Sequence, residues 1–189
     1  MSILDDKNDP NIPGWKKTKN FLKKNTNIDI NYGSDGTGNL YKLCNIVDFS
    51  KQFNNDADFI TSDGGFDFSY NFNKQEQLSY RILFCEIVTA LSIQKKGGSF
   101  VIKFFDIYTQ VTYSLLYLLY SHYKYIYITK PNTSRPANSE KYIICKGFTG
   151  IDELYLKKLY IMVNNYEYIS DNDMFVTKLF EINDEIFIG

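Results

Sequence analysis

The run Gly97-Gly98-Ser99-Phe100-Val101-Ile102-Lys103-Phe104-Phe105-Asp106 sets the tightest limit on what this chain can fold into. Residues 99–105 are almost continuously apolar, which suits a central strand buried on both faces. Just before them, apolar residues recur at Leu78, Ile82, Cys85, Val88 and Ile93, with Gly97 following as a stop. That spacing predicts a long helix over 74–94. A helix running into a buried strand is half of a crossover unit, and the rest of the chain supplies the other half.

Residues 58–61 read as a buried strand ended by Asp63-Gly64-Gly65, and 109–122 as a second helix. Residues 123–128 and 141–145 read as two strands joined by a polar loop without a helix, so they should form an antiparallel hairpin at a sheet edge. Strand, helix, strand, helix, strand, loop, strand predicts an open α/β sheet with helices on its faces. Outside this block, 1–4 reads as a strand stub, 15–24 as a short amphipathic helix and 28–32 as a short alternating strand. A glycine-rich turn over 33–40 follows, where a ligand could approach the backbone closely. Residues 151–163 read as another amphipathic helix, and 164–189 as a mixed tail without a clear pattern. The expected division is a domain over 1–150 and a C-terminal extension over 151–189.

With 189 residues, 44% of them hydrophobic, the chain can bury a real core without staples. A net charge of −1 gives no global basic field, so a nucleic-acid partner must be held by a local patch. Lys16, Lys17, Lys19, Lys23 and Lys24 form one such patch, equally readable as a solvated helix face. Cys44, Cys85 and Cys145 are widely spaced and accompany a single histidine, His122, so neither a zinc site nor a disulfide framework is expected. A reducing compartment is the default. The uncharged run 107–123 carries Thr, Gln, Ser and His and falls short of a bilayer span, which predicts a soluble protein and no membrane partner.

Three strand candidates each deliver one ionisable residue toward a cleft: Asp63 after the first, Lys103 inside the second, and Glu140 before the last. The loop that carries Glu140, Lys130-Pro131-Asn132-Thr133-Ser134-Arg135-Pro136-Ala137-Asn138-Ser139-Glu140, holds two prolines and fixed polar groups at the start of a strand. Such loops carry sites. Singly, Asp63 is a turn carboxylate, Lys103 a snorkelling lysine and Glu140 a partner for Arg135. Jointly they form an Asp/Lys/Glu set from three strand ends. In open α/β sheets ligands bind there.

These blocks resemble the FtsJ-like ribose 2′-O-methyltransferases, and within them the cap-specific mRNA nucleoside-2′-O-methyltransferases of eukaryotes and large DNA viruses. The similarity runs from about Tyr32 through Asp152, and Thr133-Ser134-Arg135-Pro136-Ala137-Asn138-Ser139-Glu140 is its most specific part. The resemblance implies a Rossmann-like sheet and methyl transfer from S-adenosyl-L-methionine to the ribose 2′-hydroxyl of the first transcribed nucleotide of capped mRNA. It makes Asp63, Lys103 and Glu140 three members of a Lys-Asp-Lys-Glu tetrad. It places the cofactor on Asp35, Gly36, Gly38, Asn39, Asp63 and Gly64, and RNA on Lys130, Ser134, Arg135 and Asn138. A buried lysine could take the hydroxyl proton, although neighbouring carboxylates favour its ammonium. Alternatively it orients the hydroxyl.

The resemblance also implies absences. The family's first strand and helix, its first tetrad lysine and a Pro-Gly-Gly-Phe cofactor loop have no counterpart before Ile3, so an upstream polypeptide is expected to supply the first strand. Asn39 stands where relatives often carry an aspartate. The alternatives are an inactive fragment that binds RNA or a protein partner, or a ribosomal RNA 2′-O-methyltransferase. Trp15, Phe66 and Tyr70 are candidate stacking residues for a cap base. Abundant Asn, Lys, Ile and Tyr suggest an AT-rich genome compatible with a large DNA virus, and a cytoplasmic viral factory or the nucleus is the expected location.

Overall fold

A computed structural model describes residues 19–53, 55–64, 74–166 and 172–187. The predicted strand stub at 1–4 lies outside these residues. So do Lys16, Lys17, Trp15, Phe66 and Tyr70. Helix α1 (Lys19–Lys24) leads through an irregular segment to α2 (Leu43–Phe53), β1 (Ala57–Ser62), α3 (Gln75–Ile93) and β2 (Gln94–Phe104). Then come α4 (Gln110–His122), β3 (Tyr123–Thr129), β4 (Lys141–Phe148), α5 (Glu153–Asn164) and α6 (Asn172–Phe187).

The four strands lie in the order β1-β2-β4-β3. β1 and β2 are parallel, as a helical crossover through α3 requires. β4 is antiparallel to both β2 and β3. The structure is therefore a mixed α/β sheet whose last two strands form the expected hairpin, with β3 at the edge.

Alternation along the strands sorts the sheet into two unlike faces. Phe100, Ile102 and Phe104 of β2, with Ile143 and Cys145 of β4, are fully buried against the helices. On the other face Val101, Lys103, Tyr142 and Ile144 are only half-buried, while Phe59, Tyr125 and Tyr127 are exposed. Two expectations change here. β2 is not buried on both faces, and the described helices pack on one face only. β1 is likewise at the edge of the described sheet, with Phe59 64% exposed, instead of a buried strand.

Helix α3 is the centre of the core. Residues 82–93 are buried all round, which marks a helix enclosed by sheet and neighbouring helices. α4 starts at Thr109 and is fastened to α3 by Glu76, whose Oε1 accepts from Tyr108 N, Thr109 N, Thr109 Oγ1 and Thr112 Oγ1 at 2.7–2.9 Å. α5 is capped by Asp152, whose Oδ1 accepts from Leu154 N and Tyr155 N. α6 occupies the tail that sequence left unassigned, and Phe175, Val176 and Leu179 join the same core.

Residues 28–32 form no strand. Their polar groups close on themselves and on α2: Asn31 Oδ1 accepts from Gly33 N and Asn31 Nδ2 donates to Gln52 Oε1. α2 itself was not anticipated, although Leu43, Ile46 and Val47 have helical spacing.

Candidate active site

Residues 61 and 101 pair across β1 and β2, as do 62 and 102. Ser62 therefore faces α3, while Asp63, one residue past the strand, turns back to the open face that carries Lys103. There the Lys103 ammonium forms an ion pair with Asp63 Oδ1. The lysine side chain is 15% exposed and the aspartate 65%. Lys103 Nζ also lies 5.4 Å from the centre of the Phe105 ring.

Across β2 and β4, Lys103 stands opposite Tyr142. The Tyr142 hydroxyl donates to Glu140 Oε1 at 2.9 Å. On the other oxygen, Oε2, Glu140 accepts from Ser134 Oγ at 2.8 Å and from Asn138 Nδ2 at 3.2 Å. Donation from Ser134, aided by Tyr142, Asn138 and the charge of Lys103, holds the Glu140 carboxyl below its ordinary range against some burial. Burial, and then the bond to Glu140, push the Tyr142 phenol up to about 12. The structure thus brings Asp63, Lys103 and Glu140 to one end of the open face, with Tyr142 between them.

The Glu140 loop is built to hold that carboxylate. Lys130 Nζ donates to Asn138 O at 2.8 Å, Asn138 Oδ1 at 2.7 Å and Glu140 O at 3.1 Å, closing the loop on itself. Lys130, Ser134 and Asn138 accordingly spend their polar groups on one another and on Glu140. Arg135 is exposed; its carbonyl accepts from Asn138 N at 3.2 Å, while its guanidinium makes no hydrogen bond or ion pair among the described residues.

The glycine-rich turn is organised by Asn45, which is fully buried. Its Nδ2 donates to Asn39 O at 3.0 Å and its Oδ1 accepts from Asp35 N at 3.2 Å. Gly33 is obligatory here: its φ is +73°, and a Cβ would overlap the Asn45 side chain. Asp35 pairs with Lys42 at 2.7 Å and accepts from Thr37 N and Oγ1, which together hold its carboxyl far below the ordinary range. Asn39 Oδ1 accepts from Tyr41 N, leaving its amide nitrogen unused among the described residues. Gly36 opens onto free space, where a Cβ would meet nothing within 4 Å.

One residue was missed from sequence. Glu86 on α3 is 6% exposed, and its Oε1 accepts from Gly64 N at 2.8 Å. Burial pushes its carboxyl up to about 7, against the lowering influence of the Gly64 amide, Ser62 and Lys103. Ser62 Oγ lies near enough to favour the anion but outside hydrogen-bonding geometry, and Glu86 Oε2 is buried without a partner among the described residues. Its signal in the sequence is plain afterwards: Glu86 is the only charged residue in 82–93. Tyr41, just after the glycine-rich turn, lies under the Arg81 guanidinium of α3, 4.3 Å from its ring centre, so that turn and the Asp63 turn both pack on α3.

The sequence pattern of FtsJ-like methyltransferases matches residues 9–148. This chain belongs to the FtsJ-like methyltransferase family. Within the family it is 38% identical over 169 residues to the cap-specific mRNA (nucleoside-2′-O-)-methyltransferase 1 of Dictyostelium discoideum, covering 87% of this chain and 21% of that protein. It is 41% identical over 140 residues to the enzyme of the same name from Homo sapiens, covering 70% of this chain and 17% of the human protein. With that of Drosophila melanogaster it shares 34% identity over 179 residues, 90% of this chain and 22% of the fly protein. The chain thus spans about a fifth of the length of these FtsJ-like relatives. A solved ribosomal RNA methyltransferase structure from Plasmodium falciparum overlays with a TM-score of 0.45 at 20% identity, covering 75% of this chain and 84% of that one. The family is enzymatic, and its match covers β1 through β4. Among the described residues no group of His, Cys, Asp and Glu could hold a metal ion, and no helix is long and apolar enough to cross a membrane.

Proposed function

We propose that this chain carries the methyl-transfer site of a cap-specific mRNA ribose 2′-O-methyltransferase. The observation that carries the reading is the Lys103 ammonium, paired with Asp63 and standing opposite Tyr142 and Glu140 at one end of a solvent-accessible sheet face. The relatives' names supply the substrate class, a nucleoside 2′-hydroxyl of capped mRNA, and the family resemblance points to that of the first transcribed nucleotide.

The residues fit S-adenosyl-L-methionine in kind. The carboxylate of Asp63 suits a sulfonium cation, and the turn at Asp35, Gly36, Gly38 and Asn39 offers an open backbone rim and an amide nitrogen unused among the described residues. When bound, the cofactor supplies an electrophilic methyl group. The chain's own residues prepare the nucleophile. A ribose hydroxyl reacts only as its proton leaves, so a group must hold the oxygen in line and receive that proton. Lys103 does both: it orients the hydroxyl and, once it has shed its own proton, accepts the hydroxyl's. Asp63 anchors the amine from one side, and Glu140, fixed by Ser134, Asn138 and Tyr142, bounds the other. Gly64, joined to Glu86, closes the turn beneath the cofactor. Lys130 shapes the loop, and Arg135 is the exposed cation for an RNA phosphate.

The test is methyl transfer by the full chain from S-adenosyl-L-methionine to a capped RNA oligonucleotide, beside the same RNA with a 2′-deoxy first nucleotide. Transfer to the ribose form alone is the expected result. Equal labelling of both would refute the reading.

A further inference from the structure

We propose that Glu86 is a positioning residue of the methyl-transfer site, fixing the turn that carries Asp63 through the Gly64 amide and placing a titratable carboxyl against the Asp63/Lys103 pair from the helix side of the sheet. The inference rests on the methyl-transfer reading and adds to it a residue outside the predicted set.

Geometry supports this role. Gly64 has no room for a side chain: a Cβ there would overlap Glu86 and come within 2.9 Å of Ile82 Cγ1. The missing side chain lets the carboxyl sit against the backbone of the turn, and the amide of Gly64 donates to it at 2.8 Å. Among the described residues only one of its two oxygens is used. A carboxylate buried with an orphaned oxygen is costly as an anion, so the side chain is poised between protonated and ionised forms near neutrality.

The groups that act on it come from β1 and its turn, β2, the glycine-rich turn and α3 itself. Lys103 from β2 favours the anion and Asp63, after β1, opposes it. Ser62 lies beside it, Tyr41 approaches from the glycine-rich turn, and Cys85 is its neighbour on α3. Ionised Glu86 adds a further negative charge to those of Asp63 and Glu140 near the Lys103 ammonium, and protonated Glu86 leaves the amine with those two carboxylates.

Two variants separate the amide bond from the charge. Glu86→Gln keeps an oxygen for Gly64 N–H but cannot ionise; Glu86→Leu keeps neither. With capped RNA, Glu86→Gln, which removes one negative charge from beside Lys103, is expected to move the rising limb of the kcat-against-pH profile to lower pH. Glu86→Leu is expected to lose about tenfold or more in kcat through a displaced turn. A readout free of activity accompanies them: the carboxyl carbon of Glu86 in the full chain, followed by NMR. Its titration midpoint should rise in Lys103→Met and fall in Asp63→Asn. Midpoints that ignore both substitutions, or Glu86→Leu with the wild-type rate and pH profile, would overturn the proposal. If the wild-type chain transfers no methyl group, the functional reading fails by itself, and the NMR midpoints still decide whether Glu86 is coupled to the pair.

Discussion

Tyr142 stands directly opposite Lys103 in the antiparallel ladder of β2 and β4. One backbone pairing therefore places the lysine, the phenol beside it and, two residues back along β4's approach, Glu140. Tyr142→Phe removes the donor to Glu140 Oε1 while keeping the ring. Methyl transfer should fall about tenfold, the scale of one hydrogen bond to a charged group, with thermal unfolding unchanged. Because the phenol stays protonated up to about pH 12, this loss should be constant from pH 6 to 9.

Asn45 holds the glycine-rich turn from a fully buried position. Asn45→Ala removes the partner of two backbone groups of that turn, Asp35 N and Asn39 O, and should cost about 2 kcal/mol in denaturant unfolding. Amide exchange in residues 33–39 should accelerate more than in β2.

Glu76 ties α3 to the first turn of α4. Burial raises its pKa, but donation from Thr112, Thr109 and Tyr108 outweighs burial and leaves the folded value below the ordinary 4.5. A folded pKa below the unfolded one means that its contribution is complete above about pH 4.5 and is lost as pH falls through the folded value. Unfolding free energy measured from pH 7 to pH 3 should therefore drop on the acid side, and Glu76→Gln should flatten that drop. At pH 7, Glu76→Ala should destabilise by about 3 kcal/mol.

Arg135 is the exposed cation of the Glu140 loop. If it meets an RNA phosphate, Arg135→Ala should raise KM for capped RNA, leave kcat unchanged and reduce the salt dependence of binding by about one ion. A fall in kcat with an unchanged KM would assign it to the chemistry instead.

What was legible in the sequence follows from where the signal is local. α3 and β2 announce themselves by period and by glycine punctuation, and the Glu140 loop by its motif. Pairing is not local: 28–32 alternates like a strand but no partner strand lies beside it among the described residues, and its polar groups turn to α2. Burial is not local either. Apolar β1 reads as buried, yet it sits at the edge of the described sheet, and the run in β2 turns only alternate residues toward the helices. Glu86 was hidden because a charge in an apolar helix reads as an exposed position until the packing of α3 on every side is known. Lys130, Ser134 and Asn138 carry the right motif, but only coordinates show that they brace Glu140.

The central claim is that Lys103 acts on the ribose hydroxyl. Lys103→Met keeps the buried aliphatic stem and leaves the exposed Asp63 carboxylate to water, so unfolding free energy should change by no more than about 1 kcal/mol. The deciding measurement is single-turnover methyl transfer to capped RNA by this variant alongside wild type. A loss of at least about a hundredfold with the fold intact is the predicted result; transfer within a few-fold of wild type would contradict it.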